Sequence, residues 1–286
     1  MDGFISQIHR LSATDDSGMR TTVMAVGCPM KCLWCNTPEL IGDAAKFLYK
    51  PVRCIGCGSC VTQQSGGETV CQYEAYASFG EIVSVNELVQ RLLTDKSQYE
   101  KTGGGVTFSG GDAALQADFF YAVTQLLKEA EISVALETSG YFPWEKLERL
   151  VKAVDLVIYD LKFLSRHLHR RYTGVDNQLI LENAVRIAGL DNEMIVSLLL
   201  IPGINDSNDE ITGRLKFIKS LGSNVKVNIV KYRKLDTDKF ASLEMIEMME
   251  GTLDCPDSLA DYAANTALSM GIEVVGNMRP SVPLCE

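Results

Sequence analysis

From about residue 100 onward the chain alternates between two hydrophobic rhythms. The runs "GVTFS" (105–109), "ISVALE" (132–137), "LVIYDL" (156–161), "MIVSLLLI" (194–201) and "VKVNIV" (225–230) have the length and apolar density of buried strands. The segments between them, 117–130, 143–154, 177–189 and 209–222, repeat their apolar positions at helical spacing. Pro143 suits a first helical turn, and Gly189 and Gly222 suit helix ends. Upstream, "TTVMAVG" (21–27) predicts a first strand; "GIEVVG" (271–276) predicts a late one, after a helix over 257–270. Six core strands alternating with helices predict a parallel sheet with covered faces, either barrel-like or doubly wound. Residues 46–80 show no clear helix or strand and read as a small insert between the first two β/α units.

Composition narrows the function classes. The chain has 286 residues, 46% of them hydrophobic, enough for one large core or two small ones. A formal net charge of −10 argues against nucleic acid as a partner, and the local run "RHLHRR" (166–171) reads as a solvated helix face. The start lacks the charged and apolar regions of a signal peptide, and no apolar run approaches a membrane span. These features predict a cytoplasmic protein with no membrane partner.

Nine cysteines are many for a reducing compartment, and seven fall between Cys28 and Cys71, which points to metal binding before disulfides. Cys28, Cys32 and Cys35, in "GCPMKCLWCN" (27–36), have the spacing C-x3-C-x2-C and follow a predicted strand. A cubane iron–sulfur cluster has four irons that each need an outside ligand, so three thiolates leave one iron open. An open position belongs to chemistry, whereas a structural site is closed. A loop at the C-terminal ends of the strands is where barrel active sites gather. Cys255 and Cys285 are unassigned and read as buried or incidental thiols.

The triad, with "GGGVTFSGGD" (103–112) and "DLVIYDLK" (155–162), resembles the radical S-adenosylmethionine (radical SAM) superfamily. That resemblance implies a partial (β/α)6 TIM-type barrel and a [4Fe–4S] cluster whose open iron chelates SAM. It implies reductive cleavage of SAM to a 5′-deoxyadenosyl radical, which abstracts a hydrogen atom. It also implies SAM contacts from Trp34, Asn36, Gly110, Gly111, Asp112, Asp160 and Lys162, with Lys162 meeting the SAM carboxylate. By their residue types alone, the glycine pair is also an ordinary tight turn, and Asp160 with Lys162 an ordinary ion pair.

The further segments "LETSGY" (136–141), "HRRYTGVDN" (169–177) and "IPGINDS" (201–207), in this order, resemble the activating enzymes of glycyl radical enzymes. The implied partner is a glycyl radical enzyme that loses a hydrogen from one glycine. The implied reductant is a flavodoxin or ferredoxin-type protein. A radical SAM enzyme acting on a small molecule or short peptide is the alternative reading. Within the insert, "CIGCGSC" (54–60) supplies Cys54, Cys57 and Cys60, and Cys71 follows after ten residues. The resemblance makes this a cut-down ferredoxin-like insert with an auxiliary [4Fe–4S] cluster, while a zinc site on the same four cysteines stays open. The domains are then 1–45 with 81–286 for the barrel, and 46–80 for the insert.

Four departures from the family pattern stand out. Asp16-Ser17 replaces an expected Gly-Pro, Asp112 replaces a glutamate, Ser197 an arginine and Arg233 a histidine.

Overall fold

The computed structural model describes residues 1–14, 18–42, 47–49, 53–58, 71, 73, 75–234, 249 and 251–276. Within these, seven strands run parallel in sequence order: β2 (Gly18–Ala25), β6 (Gly105–Gly110), β7 (Ser133–Thr138), β8 (Leu156–Asp160), β9 (Glu193–Leu200), β10 (Val225–Lys231) and β11 (Val274–Val275). Each neighbours its successor, with no reversal of strand order. Sequential order is the barrel arrangement; a doubly wound sheet would reverse at a switch point. The sheet stays open, because antiparallel strands β1 (Asp2–Thr14) and β5 (Glu81–Ser84) extend it beyond β2. The protein is thus an α/β partial barrel of TIM type.

The two faces of the sheet follow from alternation along each strand. Val23, Phe108, Leu136, Val157, Met194 and Val225 lie in register across six strands, all buried in the main core. Helices cover that face. In α3 (Ala117–Glu129) the sheet side is Phe119, Phe120, Val123 and Leu127; in α6 (Gln178–Ala188) it is Ile180, Ala184 and Ile187. Helix α7 (Asn208–Leu221) buries Ile211, Leu215 and Ile218, and α4 (Trp144–Val151) buries Leu147, Leu150 and Val151. The opposite face carries a smaller cluster of Ala135, Leu156, Ile158 and Ile195, with Val275 against it.

Several sequence expectations need correction. The first parallel strand spans Gly18–Ala25 and pairs with β1, which the hydrophobic pattern did not reveal. Register shifts between Ile5 and Gln7 and between His9 and Ser12, and a positive φ of 52° at Leu11, interrupt the alternation of β1. Helices α1 (Val85–Leu93) and α2 (Lys96–Thr102) also form, α1 capped by the Ser84 hydroxyl accepting from the Glu87 N–H. The late strand shrinks to Val274–Val275. Residues 46–80 are not devoid of regular structure, because β3 (Phe47–Tyr49) pairs antiparallel with β4 (Tyr76–Ser78), Phe47 opposite Ser78. Cys60, Cys285 and the Asp16-Ser17 departure lie outside the described residues.

The turn after β7 is tied down by a buried asparagine. Asn183 of α6 donates from Nδ2 to the carbonyls of Gly140 and Phe142, 2.8 Å each. Asn183→Ala deprives the buried Phe142 carbonyl of this donor, so the expected loss in stability is about 1–3 kcal/mol. Urea denaturation of the two proteins measures it; an unchanged midpoint would show that the turn recovers its hydrogen bonds.

Candidate active site

The cysteine loop leaves the C-terminal end of β2 and is stitched down on two sides. At its base the loop closes on itself, where Gly27 donates to the Leu40 carbonyl (3.1 Å) and Cys28 and Gly42 exchange backbone hydrogen bonds of 2.9 Å, and toward the sheet the Gly27 carbonyl accepts from the Asp112 N–H (2.7 Å). On the other side lies α5 (Arg166–Thr173). The N–H of Lys31 donates to Thr173 (2.9 Å) and that of Leu33 to Tyr172 (3.0 Å), satisfying carbonyls that the end of a helix leaves orphaned. The buried Trp34 ring packs on Phe163, centroids 5.8 Å apart, and lies 6.4 Å from Tyr172. Trp34 therefore anchors the loop. Asn36, just beyond the last cysteine of the triad, is exposed.

The three thiols share one desolvated neighbourhood. Burial pushes the Cys32 thiol up to about 12, and burial likewise raises Cys28 and Cys35. Cys28 also feels Cys32 and Cys35 as like charges, and Cys32 feels Cys35, while Lys162 favours the thiolates of Cys32 and Cys35. Thiolates in such a place need a positively charged group to hold them, which a metal cluster supplies. Among the described residues no three His, Cys, Asp or Glu side chains converge as tightly as one metal ion requires. A cubane spreads its thiolates more widely than a single ion does, so the donor set fits a cluster.

The glycine pair has a structural reason besides the one its motif implies. A Cβ on Gly110 (φ +104°) would lie 2.4 Å from the Ala25 nitrogen, and one on Gly111 would lie 2.2 Å from the Gly27 carbonyl oxygen. Gly111 donates to Ala25 (2.9 Å) and Asp112 to Gly27 (2.7 Å), so the end of β6 is joined backbone to backbone with the root of the cysteine loop. The Asp112 carboxylate is held by protein donors. It accepts from the Ser139 N–H and hydroxyl (2.8 and 2.7 Å), the Thr138 hydroxyl (2.9 Å) and the Ala114 N–H (3.2 Å).

Asp160 and Lys162 form an ion pair of 3.1 Å, with side-chain exposures of 17% and 11%. Beneath them the fully buried Arg214 donates to the carbonyls of Leu199 (3.0 Å) and Asn205 (2.8 Å) and reaches Lys162 O at 3.4 Å. This arginine holds the loops after β8 and β9 together, and Asn205 within "IPGINDS" completes the network by donating to Leu199 and accepting from Ile201. Arg233 lines a hollow with Lys231, Tyr232, Asp254 and Cys255 beyond the end of β10.

Sequence reasoning named Asp160 and Ser197 separately but missed the polar row that they form with Asn228. Asp160, Ser197 and Asn228 are register partners on β8, β9 and β10. Ser197 Oγ and Asn228 Nδ2 are buried without a hydrogen-bond partner among the described residues. Next to this row, Ser109 donates to Glu137 at 2.5 Å. The available signal was a polar residue midway along an otherwise apolar strand, as Ser197 is in β9 and Asn228 in β10. In the insert, Cys54 and Cys57 are exposed and Cys71 is half-buried.

Burial lifts the Asp112 carboxyl to about 6, from a model-peptide value of 3.8, against the pull of its hydrogen bonds. The native state then holds an extra proton between about pH 4 and pH 6, and the stability from this group falls as pH rises through that window. Asp112→Ala leaves buried donors unmet and is expected to cost about 1–3 kcal/mol at pH 7. The loss should grow as pH falls from 7 to 4, measured by denaturant titration at each pH. A pH-independent difference would contradict the raised carboxyl.

With this geometry in view, the radical SAM superfamily model matches residues 22–215. The chain is 32% identical over 265 residues to the trans-4-hydroxy-L-proline dehydratase activating enzyme of Clostridioides difficile, covering 84% of this chain and 87% of that protein. It is 33% identical over 242 residues to the benzylsuccinate synthase activating enzyme of Thauera aromatica, covering 75% and 73%. A crystal structure of a domain of pyruvate-formate lyase-activating enzyme from Bacteroides vulgatus shares the fold, with a TM-score of 0.51 at 22% identity over 60% of this chain and 98% of that one. Three thiols at the mouth of a partial barrel and these relatives agree: the chain belongs to the radical SAM superfamily, among the activating enzymes of glycyl radical enzymes.

Proposed function

We propose that Cys28, Cys32 and Cys35 hold a [4Fe–4S] cluster whose open iron binds SAM, and that the target is the α-carbon of one glycine in a partner glycyl radical enzyme. The observation that carries this reading is a loop bearing three half-buried thiols that backbone hydrogen bonds tie to α5 on one side and to the end of β6 on the other. When bound, the cluster supplies the electron that cleaves the SAM sulfonium, releasing methionine and the hydrogen-abstracting 5′-deoxyadenosyl radical. The chain's own residues supply position and charge. Lys162, held by Asp160, is placed to pair with the SAM carboxylate, and the join between Gly111 and Ala25 fixes the loop that carries the thiols. Asp160, which holds Lys162, continues across the sheet as a polar row with the buried Ser197 and Asn228.

The direct test is anaerobic. Iron-loaded, reduced protein is expected to convert SAM to 5′-deoxyadenosine and methionine, and Cys32→Ala should abolish the conversion, read by chromatography of the products. Intact SAM under strong reductant, or full activity in the variant, would defeat the assignment. Electron paramagnetic resonance with a candidate partner then separates a protein glycine from a small-molecule or peptide substrate.

A second cluster is proposed in the insert, on Cys54, Cys57, Cys60 and Cys71. Two observations support it: the β3–β4 pairing makes the chain leave and rejoin the fold at one place, and the Gly56 N–H donates to Cys54 Sγ at 3.4 Å. Wild type should then bind about eight irons, two cubanes in all. Changing Cys28, Cys32 and Cys35 together should leave about four, and adding Cys71→Ala should make the remainder labile. Stoichiometric zinc in place of that remainder would mean a zinc site instead.

A further inference from the structure

Thr37 lies on the cysteine loop two residues beyond Cys35 and opens the short 3-10 turn Pro38–Leu40. A threonine that precedes a helical turn ordinarily turns its hydroxyl to an N–H of that turn. Here it makes no such cap. The turn is closed by backbone bonds, Leu40 donating to the Thr37 carbonyl (3.0 Å) and Ile41 to that of Pro38 (3.3 Å). The Thr37 hydroxyl lies instead 3.8 Å from Cys35 Sγ, within hydrogen-bonding reach of a sulfur. A thiolate carries lone pairs and no proton, so toward a metal-bound Cys35 the hydroxyl is the donor.

The surroundings oppose negative charge at Cys35. Burial is the main force against its thiolate, and the buried Glu39 carboxylate adds a like charge. The N–H and the hydroxyl of Thr37 act against both, and Lys162 acts in the same sense after them. At Cys28 and Cys32 the corresponding donors are backbone N–H groups, of Met30 and of Cys32 itself. Thr37 therefore supplies a side-chain donor that a substitution removes while the backbone donors stay in place. In a site screened from water such a bond keeps more of its strength than on the surface.

We propose that Thr37 is a positioning residue that raises the reduction potential of the cluster by donating its hydroxyl hydrogen bond to Cys35; the proposal rests on the cluster reading given above. Reduction transfers one electron to the cluster from a low-potential external reductant, which is oxidised by one electron, and no proton moves. The added charge spreads onto the thiolate sulfurs, where a donor stabilises the reduced form more than the oxidised one. Without the hydroxyl, Glu39 opposes the incoming electron with one fewer group to offset it.

The test is an anaerobic redox titration of iron-loaded protein, poised with low-potential mediators and followed by electron paramagnetic resonance. The signal followed is the one that added SAM perturbs, which keeps a second cluster out of the reading. Thr37→Val has the shape of threonine without its hydroxyl. It should lower the equilibrium constant for one-electron reduction roughly tenfold, about 59 mV in midpoint potential. Thr37→Ser keeps the hydroxyl and should hold the wild-type midpoint. In deuterium oxide, electron–nuclear double resonance should show an exchangeable deuteron coupling in wild type and the Ser variant that the Val variant lacks. Iron content should be equal in all three proteins, because no helix cap is lost. An unchanged midpoint in the Val variant would overturn the proposal. So would a midpoint lowered equally in the Ser variant, or loss of iron from the Val variant, which would assign Thr37 to holding the loop. Failure of wild type to give any SAM-perturbed signal on reduction would remove the cluster reading itself.

Discussion

The root of the cysteine loop and the end of β6 are joined so closely that no side chain fits between them, and the site is built around that join. Gly111 donates to Ala25 and Asp112 to Gly27, with positions 110 and 111 bare because a Cβ at either would strike backbone. Asp112 extends the join to a third strand by gathering the Thr138 hydroxyl and both donors of Ser139 at the end of β7. Three strand ends are thereby held at fixed spacing, and the loop that carries the thiols inherits their rigidity. A loop fixed only at its two ends would let the cysteines wander, and a cluster demands that they converge.

The same constraint sets the electrostatics. Pinning the loop between the sheet and α5 shields the thiols from water, and burial raises all three. The apo arrangement therefore disfavours thiolates and favours whatever cation accepts them. Lys162 offsets part of this cost for Cys32 and Cys35, and Asp160 keeps it aimed while shielded from solvent. Arg214 lies beneath with three backbone carbonyls in reach, so the cation near Lys162 is a structural one that braces two loops.

Much of the barrel was legible because its strands are buried on both faces and its helices on one. Those two patterns differ in period, and the structure adds helix caps that the reading did not use, Ser165 accepting from Leu168 and Ser207 from Glu210. Strand β1 was not legible, since its bulges break the alternation on which the reading relies. Nor was the β3–β4 pair, whose three-residue strands are too short to show any period. At the site, cysteine spacing and the position of the triad after a strand could be read directly. The role of the glycine pair could not, because a motif records that bulk is forbidden without saying what forbids it; here the neighbour is the backbone of β2 and its loop. Nor could the partners of the Asp112 carboxylate be read, because of Ser139, Thr138 and Ala114 only Ala114 is near in sequence.

The amino-acid sequence by itself determined the alternation of strands and helices, the place of three thiols after the first parallel strand, and the family. These are properties of local period and spacing, which chain order preserves. Only the tertiary structure decided which groups face one another across that order. It put α5 against the cysteine loop, through hydrogen bonds between residues 31–33 and 172–173. It aligned Asp160, Ser197 and Asn228 in one row from three separate strands. It turned Asp112 into a brace. Each of these depends on register and curvature of the sheet, which arise from the packing of the whole core and are written in no single segment.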